Sequence, residues 1–270
     1  MTNPVYSIQY RMHPEISRLP STLFYEGQLK NGPDMTQKTF QPWHNDKSLG
    51  IFKFFDIRGQ EEQADSGHSQ YNMAEVHCAV ELFARLRREY PDIILDYRVG
   101  IISMYRAQLS KLKAEFSSRW GRDILSRVDF NTVDGFQGQE KDVIILSCVR
   151  AGPNVSSIGF LADSRRMNVA ITRSRSSLFI LGNAPTLKRS NDLWEKIIGD
   201  ASSRGLLILV SKAKKGYIST EMFIDRRISH CIHKIDRPDR GCKATGATFA
   251  FGKHTDNTYV NTNAQQTFNT

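Results

Sequence analysis

Asp142-Val143-Ile144-Ile145-Leu146-Ser147-Cys148-Val149 is a nearly unbroken apolar run rich in β-branched residues. A strand covered on one face alternates apolar and polar side chains. A strand covered on both faces does not, and this run has the composition of a central strand in a parallel sheet with helices above and below. Ser177-Leu178-Phe179-Ile180-Leu181-Gly182 repeats the pattern. Working outward, residues 51–57, 98–103, 128–133 and 206–210 read as further strands, and 58–71 as a polar loop. From Met73 to Tyr90 the apolar residues Val76, Val80, Phe83, Ala84 and Leu86 recur at helical spacing. Leu109, Leu112 and Phe116 do the same between Tyr105 and Trp120, and 166–174 and 193–203 also read as helices. Strands alternating with helices predict an α/β fold, a doubly wound, mostly parallel sheet with helices on both faces. In such sheets ligands gather beyond the carboxyl ends of the strands, so the loops after Ile102, Val133 and Cys148 are the expected working edge. The sheet is expected within residues 1–210. Residues 211–270 lose all periodicity and read as a low-order tail.

Composition narrows the function class. Of 270 residues, 24% are charged and 40% hydrophobic, which is globular composition. A formal net charge of +9 favours a polyanionic partner, because each Lys or Arg set on a phosphate releases counterions. Cys78, Cys148, Cys231 and Cys242 are scattered and form no CxxC pair, which suits a reduced, intracellular chain. His230, Cys231, His233 and Cys242 match no zinc module in spacing, and no metal site is expected. No apolar run is long enough for a membrane span, and no membrane partner is expected.

Four blocks carry chemistry, in this order: Gln9-Tyr10-Arg11-Met12-His13-Pro14, then Gly100-Ile101-Ile102-Ser103-Met104-Tyr105-Arg106, then 132–142, from Thr132 through Asp134, Gly135, Phe136, Gln137, Gly138 and Glu140 to Asp142, and last 166–175, ending Thr172-Arg173-Ser174-Arg175. Arginine is permanently charged, planar and multidentate, which suits it to the spread negative charge of a phosphoryl-transfer transition state. Gly135 and Gly138 permit tight turns and close backbone approach, but the spacing before Lys141 is not that of a P-loop. Pro14 sits where a first helical residue is expected, with His13 fixing the loop before it.

In these blocks, and in connecting segments such as Leu19-Pro20-Ser21 and Phe24-Tyr25-Glu26-Gly27, the chain resembles superfamily 1 helicases from about Pro4 to Leu207. Within them it is similar to the branch that holds the nonsense-mediated-decay helicase and senataxin, the fungal senataxin-like proteins above all. The resemblance implies the second RecA-like domain of an ATP-driven motor. It assigns Arg11 and Arg173 to the γ-phosphate, Tyr10 to stacking on the base, Glu140 to the ribose and Gly138 to close approach to the phosphates. It assigns Ser103, Tyr105, Thr132, Val133 and Asp134 to contact with single-stranded RNA or DNA. Read from the residues alone, the alternatives are a core tyrosine for Tyr10, surface charges for Arg11, Glu140 and Arg173, and strand-end capping and packing for Ser103 and Tyr105. Arg166 and Arg175 read as packing or ion-pair residues. Met104 departs from the family pattern, which has proline between Ser or Thr and Tyr, so that loop lacks proline's restriction on φ.

No GxxxxGK[ST] string and no Asp-Glu pair occurs in the chain. ATP with Mg²⁺ is therefore expected to be held by an N-terminal RecA-like domain lying outside this sequence, and the chain alone is expected to be inactive as an ATPase. The opening of the sequence directly on a motif suggests a truncated chain. A stand-alone single-stranded nucleic-acid-binding module, or an inactive fragment, is the competing expectation. A nuclear location is implied by the resemblance alone.

Overall fold

The computed structural model describes residues 8–65, 67–155 and 157–210. The predicted tail, with His230, Cys231, His233 and Cys242, lies outside the described residues. At the centre is a sheet of β1 (Phe52–Ile57), β2 (Val99–Ser103), β3 (Asp129–Asn131), β4 (Lys141–Ser147), β5 (Ser174–Gly182) and β6 (Leu207–Val210). The strand order is β6-β1-β5-β4-β2-β3, and every neighbouring pair is parallel. The main helices are α1 (Pro14–Phe24), α2 (Met73–Glu89), α3 (Arg106–Trp120), α4 (Ser164–Ile171), α5 (Ala184–Ser190) and α6 (Asp192–Ser203).

The alternation of side chains along each strand sorts the interior into two cores. Ile102, Ile144, Leu146, Leu178 and Ile180 face one, with Ile16 of α1, Met167 of α4 and Trp194 of α6. Val99, Ile101, Val143, Ile145, Phe179 and Leu181 face the other, with Phe83 of α2 and Phe116 of α3. Both faces are thus roofed, which is why the central strands read as continuous apolar runs. This is the RecA-like, doubly wound α/β arrangement expected.

Details differ from expectation at element ends. The loop 58–71 contains a short antiparallel pair, Glu62–Gln63 with Gln70–Tyr71. Helix α4 starts earlier than predicted because the Asp163 carboxylate accepts from the N–H groups of Arg165 and Arg166. Helix α5 had no apolar repeat to announce it; Asn183 caps it, and Pro185 stands in its first turn.

The connection from β3 to β4 has no α-helix. Strand β2 lies between the two, all three are parallel, and nine residues (132–140) must return the chain from the carboxyl edge to the amino edge. They lie close against the sheet. The Phe136 ring occupies the space that a side chain at Gly100 would fill: a Cβ there would stand 2.5 Å from the ring.

At the carboxyl edge, a fully buried carboxylate ties helices to sheet. Glu75 of α2 accepts from Ser147 Oγ (2.6 Å) and from the Val149 N–H (2.9 Å). Gln108 of α3 donates to Ser147 Oγ (2.8 Å), and Asn72, which caps α2, donates to the Val149 carbonyl (3.1 Å). These bonds hold Val149 at φ +70°, a conformation a β-branched residue rarely adopts. Burial outweighs the donated hydrogen bonds and pushes the Glu75 carboxyl up to about 7 from 4.5. The folded protein therefore keeps a proton that the unfolded chain releases, and this group's contribution to stability falls as pH rises through that window. Relative to Glu75→Gln, the wild type is expected to lose roughly 2 kcal/mol between about pH 5 and 7.5, read by urea denaturation. Parallel pH courses for the two proteins would show instead that Glu75 stays charged in the fold.

Candidate functional site

The candidates for nucleotide contact do not collect where the general rule for α/β sheets places them. The arginine-rich cluster forms at the amino ends of β4 and β5, opposite the loops after Ile102 and Cys148. The reason is topological. Glu140 immediately precedes β4, Arg173 immediately precedes β5, and those strands run side by side from Lys141 opposite Ser174.

The loop Tyr10-Arg11-Met12-His13 is brought to this edge by main-chain pairing. Ile8–Gln9 pairs in parallel with Lys30–Asn31, and the His13 N–H donates to the Arg175 carbonyl at 2.7 Å. The buried side chain of Gln9 shapes the loop. Its Oε1 accepts from the N–H groups of Arg11 (2.9 Å) and Met12 (2.7 Å), and its Nε2 donates to the Met12 carbonyl (2.8 Å) and Asn31 Oδ1 (2.6 Å). His13 Nδ1 accepts from the Glu15 N–H at 3.1 Å and caps α1, with Pro14 as the first helical residue. Burial holds its imidazole below the ordinary value, with Glu15 pulling the other way, so His13 acts as a neutral cap.

Arg11 Nε donates to Glu140, and Arg11 Nη1 to the Thr172 carbonyl at 3.1 Å. Glu140 also faces Arg175, at 3.7 Å, and Arg175 leans on Asp142 as well. Arg173 spends its donors on neutral acceptors: the carbonyls of Val169 (3.0 Å) and Gln139 (3.3 Å), and Thr172 Oγ1 (3.2 Å). Burial, and then the charge of Arg11, lower its pKa, while Glu140 and Tyr25 act in the opposite direction. It remains charged, because no shift of this kind deprotonates a guanidinium at neutral pH. Two guanidinium groups, those of Arg11 and Arg175, thus share Glu140, with Arg173 close enough to feel its charge, and the cluster keeps a positive excess that an anion can neutralise.

Tyr10 stands beside this cluster, 68% exposed, so it is not a core tyrosine. Its ring lies over Gly32, where a Cβ would come within 2.3 Å of two ring carbons. Gly138 has φ +83°, with nothing within 4 Å of where its Cβ would be, so the turn before Glu140 is open to solvent. Arg11, Glu140 and Arg173 are brought into one cluster, with Tyr10 and Gly138 at the same edge.

The nucleic-acid candidates fall toward the carboxyl edge, and several are buried. Ser103 Oγ donates to the Ser147 carbonyl (3.0 Å), and Tyr105 OH to the Ile158 carbonyl (3.2 Å); both residues lie in the interior. Their side chains cap and pack. Val133 is buried too, and its carbonyl accepts from the Phe136 N–H at 3.2 Å. Thr132 Oγ1 accepts from the Gly135 N–H (3.2 Å), and exposed Asp134 takes a two-pronged bond from Arg166, both prongs 3.1 Å. Arg166 makes an ion pair with Asp134, and Arg175 with Glu140 and Asp142. Gln9 stands in the first motif block, but its role as a clamp, and that of Gly32 under the Tyr10 ring, follow from the folded path of the loop and no residue pattern marks them. Among the described residues no group of three or more His, Cys, Asp or Glu is arranged to hold a metal, and no helix is long and apolar enough to cross a membrane.

Removing the Gln9 side chain strands two N–H donors, a carbonyl and Asn31. Gln9→Ala is expected to cost roughly 2–3 kcal/mol of stability in urea denaturation. A loss below about 0.5 kcal/mol would mean that the loop keeps its shape without this clamp.

A family described as an AAA domain matches residues 2–185. The chain is 43% identical over 230 residues to Helicase sen1 of Schizosaccharomyces pombe, covering 81% of this chain and 14% of that protein. It is 48% identical over 203 residues to Helicase SEN1 of Saccharomyces cerevisiae, covering 74% and 9%. It is 36% identical over 202 residues to the probable helicase senataxin of Homo sapiens, covering 75% and 7%. The chain therefore spans only a small part of these relatives' length. With the family match running through both arginine-bearing loops and the crossover between them, this chain belongs to the senataxin-like branch of the superfamily 1 helicases.

Proposed function

We propose that this domain is the γ-phosphate-sensing half of an ATP-driven motor that moves on single-stranded RNA or DNA. The observation that carries the proposal is the grouping at one sheet edge of Arg11 and Arg175 on Glu140 with Arg173 beside them, its donors on neutral acceptors. Arg173 is oriented by carbonyls and a hydroxyl, which fixes it without cancelling its charge, and Arg11 by Glu140 and the Thr172 carbonyl. Each keeps N–H groups for a phosphate oxygen. Tyr10 offers a flat apolar face for a base, Glu140 a carboxylate for the ribose, and Gly138 an open turn for the phosphates.

In this reading the β- and γ-phosphates and Mg²⁺ are held by a second RecA-like domain carrying a P-loop and its acidic motif. ATP then sits between the two domains. Arg11 and Arg173 gain contacts only when the cleft is closed on the γ-phosphate, and that differential binding is what a nucleotide-driven motion requires. Thr132, Val133 and Asp134 lie on the same crossover as Glu140, so a shift at the phosphate end can be felt at the nucleic-acid end. Ser103 and Tyr105 support that end from beneath. A nuclear location belongs to the same reading and is supported by resemblance to the senataxin-like proteins.

The test is ATP turnover in the motor assembled from this chain and its P-loop domain. Arg173→Ala and Arg11→Ala are each expected to lower kcat by about 10³-fold or more, the scale of a transition-state arginine. Gly32→Ala is expected to tilt the Tyr10 ring and raise KM for ATP several-fold while leaving kcat alone. Normal turnover by both arginine variants would remove the γ-phosphate role from this cluster.

A further inference from the structure

Phe160 is a large apolar side chain left 56% exposed on a segment that is otherwise firmly anchored. It sits in a 3-10 turn, Gly159–Ala162, at the carboxyl side of the fold. On one side, Ile158 is buried and its carbonyl accepts from Tyr105 OH at 3.2 Å. On the other, Leu161 is buried and its carbonyl accepts from Trp194 Nε1 at 2.9 Å. The ring is therefore presented by a fixed backbone. The guanidinium of Arg166 stands 5.0 Å from its centroid, and the same guanidinium is gripped by both oxygens of Asp134. Phe160, Arg166 and Asp134 form one continuous row leading to Thr132.

We infer that Phe160, braced by Arg166, is a stacking platform for one base of a single strand, an inference that rests on the nucleic-acid reading above. An exposed phenylalanine by itself requires no explanation. A rigidly mounted one with a cation fixed against it has the two elements that single-strand binders combine, an aromatic face and a nearby positive charge. The row also revises what Asp134 does. A free carboxylate on this edge would repel phosphate. Held by both prongs of Arg166, it is neutralised and serves to position the guanidinium. Asp134, Tyr105 and Trp194 are positioning residues, and the contact with the strand is made by Phe160 and Arg166. Stacking accepts any base, so the platform adds affinity without sequence preference.

The experiment is fluorescence anisotropy on the full 270-residue chain across a salt series. The probes are a labelled oligouridine of about 15 nucleotides and an abasic backbone of the same length. Wild type is expected to prefer the base-bearing strand. Phe160→Ala is expected to weaken binding to that strand by about tenfold, erase the preference and leave the salt slope unchanged. Phe160→Trp is expected to keep the preference. Because the side chain is exposed, thermal unfolding of both variants should match the wild type. If wild type binds with a salt slope and Phe160→Ala retains the same affinity and preference, the platform is overturned while the nucleic-acid reading stands. If wild type binds neither strand at low salt, the nucleic-acid reading fails and the platform falls with it.

Discussion

The short crossover 132–140 is the constraint on which the two ends of the molecule depend. It leaves β3 at the carboxyl edge and must enter β4 at the amino edge, with β2 lying between. Nine residues leave no room for an α-helix and its turns, and the chain makes only a 3-10 turn, Asp134–Phe136. Phe136 over Gly100 pins it to the sheet. Asp134, near its start, holds Arg166, and Glu140, at its end, holds Arg11 and faces Arg175. Val133 and Phe136 are its buried anchors, and the 3-10 turn lies between its two ends. One piece of backbone thereby connects a cationic pocket on one edge to an aromatic and basic row on the other. Helix α4 spans the same two ends, with Arg166 in its first turn and Arg173 just past its end.

The electrostatics of the pocket suit a group that must let go of one partner to take another. The Arg11 and Glu140 side chains are each more than a third exposed, at 35% and 39%. An ion pair that open to solvent contributes about 1 kcal/mol at most. It is enough to orient Arg11 and too little to lock it against a phosphate, whose oxygens accept several charge-assisted bonds. Arg173 is held differently, by backbone carbonyls and a threonine hydroxyl, and it has no carboxylate partner to release. The two arginines are therefore set up unequally. Arg11 is held by a solvent-open carboxylate, and Arg173 by neutral acceptors that leave its charge undiminished.

Much of the architecture was legible in the residues. Continuous apolar runs at 142–149 and 177–182 identified strands roofed on both faces, because only such strands can dispense with polar side chains. The helical spacing of Val76, Val80 and Phe83, and of Leu109, Leu112 and Phe116, identified two of the helices on those faces. Helix α5 was not legible, because it is short and held by the Asn183 cap and by packing of Leu187. The site was legible as a set of motifs, but its location was not. The rule that places ligands at the carboxyl edge describes loops that follow strands. Arg173 and Glu140 precede theirs.

By itself the sequence determined the α/β class, the identity of the four motif blocks and the types of residue they carry, since these depend on local spacing and side-chain chemistry. Only the tertiary structure decided which of those residues meet. It buried Ser103 and Tyr105, whose hydroxyls bond to carbonyls of distant strands and loops. It exposed Tyr10 over Gly32, and it brought Glu140 beside Arg11, 129 residues away in the chain. Such meetings depend on strand order and on the path of the crossover. Both are set by how two hydrophobic cores close around one sheet, and no local segment encodes that.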